Sequence, residues 1–576
     1  MKNKKTIMIL VDGMSFELMK LPQSIDLSLL SKTELSEFYP ESMEYFDIWE
    51  RFTYRSFLDP AANRQVKISS ADVATMISVG MFPHLFTKLL SKDTKVPNLF
   101  SLLKNQGAKL AAVTNCPLTD STIGMFLCPE EYHSYNEKTD LSFTNNTDME
   151  TNIALNLENS PWDLLAGGGR RAFYDKNTCD PVTKQSGIRT DGRNLLKEYK
   201  ERSDYKVLFE DEYNENIKVD WAYKNLWLLH HGYFRFHVER SATNASEPSL
   251  SDLSLKVIES LDESNNPWFC LIESGRVDHA AHNNNSYYAL GELLEVFRLV
   301  SRILKKPNSH EYNIILTSDH GTGGLAFLEE NYVPYNALEG GVQWANGPGK
   351  NRLDTAVYHS GEGARGLRAI KNFTPNIEEA PAFRFQPSGD YQKVGSHNRT
   401  FVPFIVNGPD YNHLSGCMFP HELFYAIKSI YTLKESVTTN PKVIILLGVN
   451  NKVTTKLEKS FQWHLIDESS YFIDKQVSNQ NTSDISTVNI VHDIESVLKR
   501  GMSVLVSIAS LTNSDFIRYT RLTKYCKYRI IYPKLNKENE LIIHELHNFS
   551  KEINTKDFDC IADDELIFNS IAEYLK

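Results

Sequence analysis

The stretch FCLIESGRVDHAAH, residues 269–282, runs from an apolar strand into a carboxylate, a glycine turn and two histidines. ILVDG at 9–13 and IILTSDHG at 314–321 repeat the first half of that plan, an apolar strand followed by an acidic residue with a turn or a histidine beside it. In an open α/β sheet, ligands converge outside the carboxyl ends of the strands. Asp12, Glu273 and Asp319 are therefore expected to meet although they lie far apart in sequence. Adding His282, His320 and His397 gives the donors for two zinc sites beside a harder, oxygen-only site.

Working outward, strand-like runs at 6–11, 109–114, 162–166, 267–272, 313–318 and 402–406 alternate with helix-like runs such as ADVATMISVG (71–80) and YYALGELLEVFRLVSRIL (287–304). That alternation predicts an α/β fold, a mostly parallel sheet with helices on both faces. Residues 321–395 are rich in Gly, Pro and Asn with little periodicity, and read as an insertion near the mouth of the site. KESVTTNP, residues 434–441, reads as a linker between a first domain, 1–433, and a smaller α/β domain, 442–576.

At 576 residues the chain is too long for one core. Its formal charge of -11 argues against a nonspecific polyanion binder, though a local cationic cleft for phosphate is compatible with it. The apolar start of MKNKKTIMILVDG is cut short by Asp12 and lacks a small-residue cleavage site, so it is expected to be the first strand rather than a secretory signal. No window reaches the roughly 18 apolar residues of a membrane span. Seven scattered cysteines without a C-x-x-C pair suit reduced thiols, and together these features lead to an expected cytoplasmic location.

Asp278 and His282 stand four apart, a spacing that puts both side chains on one face of a helical turn. Ser70 opens a helical run whose first-turn amides are free to face an anion, although a Ser in that place is more often only a helix cap. Taken with VDGM (11–14), NRQV-x-x-SSADVAT (63–75), TDST (119–122), DLLAGGGR (163–170), RTDGRNLLKEY (189–199), NGPG (346–349) and GPDYNHLSG (408–416), these residues closely resemble the alkaline phosphatases, in particular the eukaryotic type, over about 5–427. The resemblance implies a phosphate monoesterase with Ser70 as nucleophile, passing through a phosphoserine. It implies one Zn2+ on Asp278, His282 and His397 and a second on Asp12, Asp319 and His320. A Mg2+ would lie on Asp12, Thr122 and Glu273, with Asp120 behind it.

Three departures from the family pattern matter. The arginine that grips the substrate phosphate falls, by distance from Thr122, on His133, and a single imidazole cannot clamp two phosphate oxygens as a guanidinium does. His133 is either a substrate-facing substitute or an ordinary surface residue, and Arg399 is a further candidate for the clamp. Where many animal members carry an accessory calcium ligand this chain has LLHHGYFRFHVER (228–240), so calcium is not expected. The N-terminal arm that helps members of the family dimerise is also missing, which leaves a homodimer as one possibility.

KVIILLGVNNKVTTKLEK, 442–459, has the strand-loop-helix outline of a P-loop, but Val453 stands at the second glycine and Thr454 at the lysine; Thr455 alone matches. SVLV at 503–506 is followed by Ser507 where an Asp would organise a metal. The segment resembles a polynucleotide-kinase-type domain that has lost its catalytic residues. Its partner is not legible. The leading expectation is thus a metal-dependent monoesterase acting on a phosphorylated small molecule or nucleic-acid end. A phosphodiesterase on the same metal scaffold, or a pseudoenzyme binding phosphorylated partners or nucleic-acid ends, are the alternatives.

Overall fold

A computed structural model describes residues 4–24, 48–61, 68–90, 96–129, 147–214, 216–242, 247–283, 286–323, 325–327, 342–344, 397–398, 400–433, 441–461, 463–468, 482–508, 510–511, 517–524, 526, 528–535, 541–546, 553–554 and 564–575. Contacts gather the chain into two units, the first reaching Leu433 and the second running from Lys434. Most of the 321–395 stretch, the 434–440 part of the linker, His133 and Arg399 lie outside the described residues.

The first unit is built on β1 (Lys5–Val11), β2 (Tyr54–Leu58), β3 (Lys109–Pro117), β4 (Leu164–Gly168), β5 (Tyr205–Phe209), β6 (Lys224–Leu228), β7 (Trp268–Ser274) and β8 (Tyr312–Thr317). After two-residue strands β9 (Gly321–Thr322) and β10 (His397–Asn398) comes β11 (Val402–Asn407). The nine-stranded sheet has the order β2-β11-β8-β1-β7-β3-β4-β6-β5. Neighbours from β8 to β5 are parallel, whereas β11 runs antiparallel to both β8 and β2. The central strands KTIMILV, WFCLIES and YNIILT are buried almost end to end. Such unbroken apolar runs belong to a sheet covered on both faces.

Register explains how distant carboxylates are brought level. Leu10 pairs with Glu273 on one side and Thr317 on the other. Asp12 and Asp319, each two residues further on, therefore leave the sheet at the same height, with Glu273 two steps below. Helices α1 (Ser70–Val79), α2 (Ser121–Leu127) and α3 (Arg276–His282) begin at this carboxyl end, and α4 (Ser286–Leu304) packs against α3. The core beneath is apolar, with Ile7, Ile9, Val11, Trp268, Ile272, Leu293 and Phe297 in one cluster.

Two local readings shift. The strand expected at 162–166 starts at Leu164, because the Asp163 carboxylate accepts from the Leu110 amide at 2.9 Å before the ladder begins. Strands β2, β5 and β6 were not among the expected runs. Tyr54–Leu58 and Tyr205–Phe209 have half-exposed patterns typical of sheet margins, where burial gives little signal.

The second unit holds β12 (Val443–Leu447), β13 (His464–Asp467), β14 (Val504–Ile508), β15 (Tyr528–Leu535) and β16 (Leu541–Leu546), in the sheet order β13-β14-β12-β15-β16. β16 is antiparallel to β15 and the other pairings are parallel. Helix α5 (Asn451–Phe461) follows β12, and Leu446, Val453, Leu457 and Leu505 share its core with Ile567 and Ile571. Among the described residues no single helix is long and apolar enough to cross a membrane.

Gly13 decides how closely the turn after β1 approaches α3. Its φ is 75°, and an added Cβ would lie 2.8 Å from the Asp278 Cα. Gly107 has φ 83° but nothing within 4 Å of an added Cβ. Both alanine variants should suffer the left-handed backbone penalty of roughly 1–2 kcal/mol. Gly13→Ala alone also meets backbone, so its loss of melting temperature should clearly exceed that of Gly107→Ala. Equal losses in thermal melts would show that the close approach is not a constraint.

Candidate metal centre

The cap at the start of α1 is Ser69, not Ser70. The Ser69 Oγ accepts from the Asp72 amide at 3.2 Å, and the Asp72 carboxylate accepts from the Ser69 amide at 3.1 Å. Ser70, relieved of capping, sits in the first turn with its Oγ 3.0 Å from His320 Nε2. That residue is nearly buried, as are the groups around it.

Two groups of ligand atoms lie within 4.8 Å of one another, Asp278–His282–His397 and Asp12–Asp278–His320. Asp278 and His282 come from opposite ends of α3 and approach to 3.1 Å, as the four-residue spacing requires. His282 Nε2 and His397 Nε2 stand 3.0 Å apart. The Ile68 carbonyl is 2.8 Å from His397 Nδ1, and since a carbonyl only accepts, Nδ1 holds the proton and Nε2 presents a lone pair. Asp319 spends one oxygen on the amides of Gly13 and His320, at 3.2 and 2.9 Å. Its other oxygen lies 3.4 Å from His320 Nε2.

On the oxygen-only side, Thr122 on α2 donates to Asp12 Oδ2 at 3.1 Å and also stabilises the Glu273 carboxylate. Asp120 caps α2, accepting from the Ser121 amide at 2.7 Å, and takes a further hydrogen bond from Tyr233. Each expected site residue within the described chain is thus at the carboxyl end of the sheet.

Charge is badly balanced here without a cation. Burial, reinforced by the carboxylates of Asp319, Asp278 and Glu273, holds Asp12 well above the usual carboxylate range. Burial pushes Glu273 up to about 8, with Asp120 and Asp319 adding to it and a Thr114 hydrogen bond opposing. Burial also works upward on Asp278, but His282, His397 and His320 outweigh it and hold that carboxyl well down. Burial and the neighbouring His320 push His397 down to about 3, so its ring is a neutral donor. Asp12 Oδ1 and Asp319 Oδ2 are buried and accept no hydrogen bond. Lone pairs aimed into a shared space, mixed N/O donors on one side and oxygens alone on the other, fit divalent cations.

Two threonines escaped the reading of motifs. Thr114 donates to Glu273 Oε2 at 2.6 Å, and Thr322 donates to Asp278 Oδ1 at 2.6 Å. Thr114 is the register partner of Glu273 on the adjacent strand, a relation visible only once β3 and β7 are known to pair. Thr322 stands two residues beyond His320, close enough in sequence to have been a signal.

The fold and these donors define an α/β protein with groups of buried metal-ligand side chains at the carboxyl end of its sheet. A family model for alkaline phosphatase matches residues 3–429. The chain belongs to the alkaline phosphatase family. It is 26% identical over 286 residues to an alkaline phosphatase of Gadus morhua, covering 47% of this chain and 58% of that one. To the human tissue-nonspecific isozyme it is 25% identical over 282 residues, covering 42% and 51%. To a membrane-bound alkaline phosphatase of Bombyx mori it is 30% identical over 206 residues, covering 32% and 36%. The chain therefore spans about a third to three fifths of these curated relatives. Among solved structures, the alkaline phosphatase of the Antarctic bacterium TAB5 aligns with a TM-score of 0.47 at 17% identity, covering 76% of this chain and 100% of that one. That of Thermus thermophilus gives 0.49 at 15%, covering 75% and 92%.

The raised carboxyls give a pH signature for the stripped protein. Glu273, raised to about 8, keeps in the folded state a proton that the unfolded chain releases below neutral pH, and Asp12 is shifted in the same direction, so their stabilising effect is present at low pH and lost as pH rises through the folded values. Asp278 and His397 are shifted downward and contribute no slope above pH 7. Melting temperature with chelator should fall from pH 7 to 9, and the gain on adding zinc and magnesium should widen over the same range. A gain independent of pH would contradict this charge balance.

Proposed function

We propose that the first unit hydrolyses phosphate monoesters through Ser70. The observation that carries this is the placement of the Ser70 hydroxyl, uncommitted to capping, 3.0 Å from His320 Nε2 beside two groups of cation donors. In this reading Asp278, His282 and His397 hold one Zn2+, and Asp12, Asp319 and His320 a second. Asp12, Thr122 and Glu273 hold a Mg2+, with Asp120 behind. Asp278 belongs to both described groups of donors and so would contribute to the field at either ion. The ions, when bound, would neutralise charge on the phosphoryl oxygens and favour the serine alkoxide and hydroxide forms at neutral pH.

The protein's own residues supply the rest. Ser70 Oγ forms a bond to phosphorus as the ester oxygen leaves with the electron pair, giving a phosphoserine and an alcohol. Water then attacks phosphorus, restoring the hydroxyl and releasing inorganic phosphate. Ser70 is held for this by the Ser69–Asp72 cap, which fixes the first turn of α1 without using the nucleophile. Phosphorylated small molecules and nucleic-acid ends are the substrates of this reading.

For the second unit the reading is a P-loop-type domain that no longer handles nucleotide. Gly448, with φ 68°, ends β12, and α5 begins at Asn451, leaving a short loop. Val453 and Thr454 are buried in the first turn of α5, where neither can wrap or neutralise a phosphate. Ser507 pairs with Asp467 and Leu446 at the place of the metal-organising acid.

Turnover of p-nitrophenyl phosphate should depend on zinc and greatly exceed turnover of bis-p-nitrophenyl phosphate. Ser70→Ala should lose at least about a thousandfold in kcat, and with it the phosphoprotein trapped in acid, while zinc content is unchanged. Preference for the diester would replace this reading with the phosphodiesterase. A metal-loaded protein inactive on both would favour a binding role.

A further inference from the structure

Thr322 touches two members of the centre at once. Its Oγ1 is 2.6 Å from Asp278 Oδ1 and 3.2 Å from His320 Nδ1, and the residue is wholly buried. A hydroxyl has one proton and two lone pairs. The Asp278 carboxylate accepts, so the proton of Thr322 goes there. The contact with His320 must then run the other way, with Nδ1–H donating to Oγ1. A neutral imidazole protonated at Nδ1 has its lone pair at Nε2, the nitrogen that faces Ser70 Oγ, Asp12 and Asp319.

The backbone of Thr322 extends the same role. Its amide donates to the Gly13 carbonyl at 3.0 Å, one residue past Asp12, and its strand β9 pairs with β10 at His397. No other hydroxyl among the described hydrogen bonds joins one member of each donor group in this way. Ser70 contacts His320, and Thr114 contacts Glu273.

We infer that Thr322 is a positioning residue that couples the two zinc positions, orienting Asp278 for one and fixing the tautomer of His320 for the other. The inference rests on the metal-centre reading above and adds that a single hydroxyl serves both ions. Removing it leaves Asp278 Oδ1 without its donor and lets His320 take the wrong tautomer, so both affinities fall together. A hydrogen-bond partner behind a metal ligand is typically worth 10–100-fold in affinity.

The test uses the full chain, stripped with chelator and titrated with zinc against a chromogenic competitor. Cobalt absorption in the visible range reports ligand geometry. Uptake of two zinc ions by the unaltered protein checks the reading of the centre before any variant is made. Thr322→Val keeps the shape and removes the hydroxyl; it should weaken both zinc sites by about tenfold or more and alter the cobalt spectrum. Thr322→Ser keeps the hydroxyl and should stay within about threefold of the unaltered protein. If the valine variant does not fold, Thr322→Ala replaces it with the same expected order. Undiminished affinity in the hydroxyl-free variant, weakening at one site only, or a serine variant as weak as the valine would overturn the inference.

Discussion

Mutual repulsion among buried carboxylates is the constraint around which the first unit is organised. Asp12, Glu273 and Asp319 are buried at the carboxyl ends of neighbouring strands, where the sheet register prevents them from separating, and α3 adds the buried Asp278. A bare cluster of ionised acids at this depth is far too costly to keep. The protein has only two remedies, protons or cations. Burial and the neighbouring carboxylates raise Asp12 and Glu273 and so favour their protonated forms, whereas histidines hold Asp278 down. A cation held among these acids would relieve the repulsion, so metal binding and the stability of the fold would share one charge balance.

Much of this was legible in the chain. Apolar runs ending in Asp12, Glu273 and Asp319 predicted both the parallel sheet and the convergence of the acids, because a parallel ladder fixes which end of each strand carries chemistry. The four-residue step from Asp278 to His282 predicted a shared face, and α3 supplies it. Ser70 was harder. A serine before a helix has a structural job by default, and only the hydrogen bonds show that Ser69 has taken that job.

What stayed hidden depended on pairing or on weak burial. Thr114 becomes significant only as the neighbour of Glu273 across two strands. The edge strands β2 and β5 carry half-exposed runs, and β6, buried but only five residues long and opening on Lys224 and Asn225, is too short for periodicity to separate from loop. In the second unit the outline of strand, glycine and helix was readable, yet whether Val453 and Thr454 face a ligand or the core is a question of helix phase. They face the core.

The antiparallel strand β11 has a consequence for how the molecule comes into being. It lies between β2 and β8, so β2 has no sheet partner until the chain has been made as far as Val402. Every other strand of the sheet can pair with a neighbour synthesised before Thr317. During synthesis β2 must therefore wait as an unpaired edge carrying Phe57, while the centre of the sheet assembles. Long-range closure of this kind is slow and leaves an edge open to wrong partners. β2, although it is the second strand in sequence, is therefore among the last to be taken into the sheet, and its ladder closes only once β11 has been made.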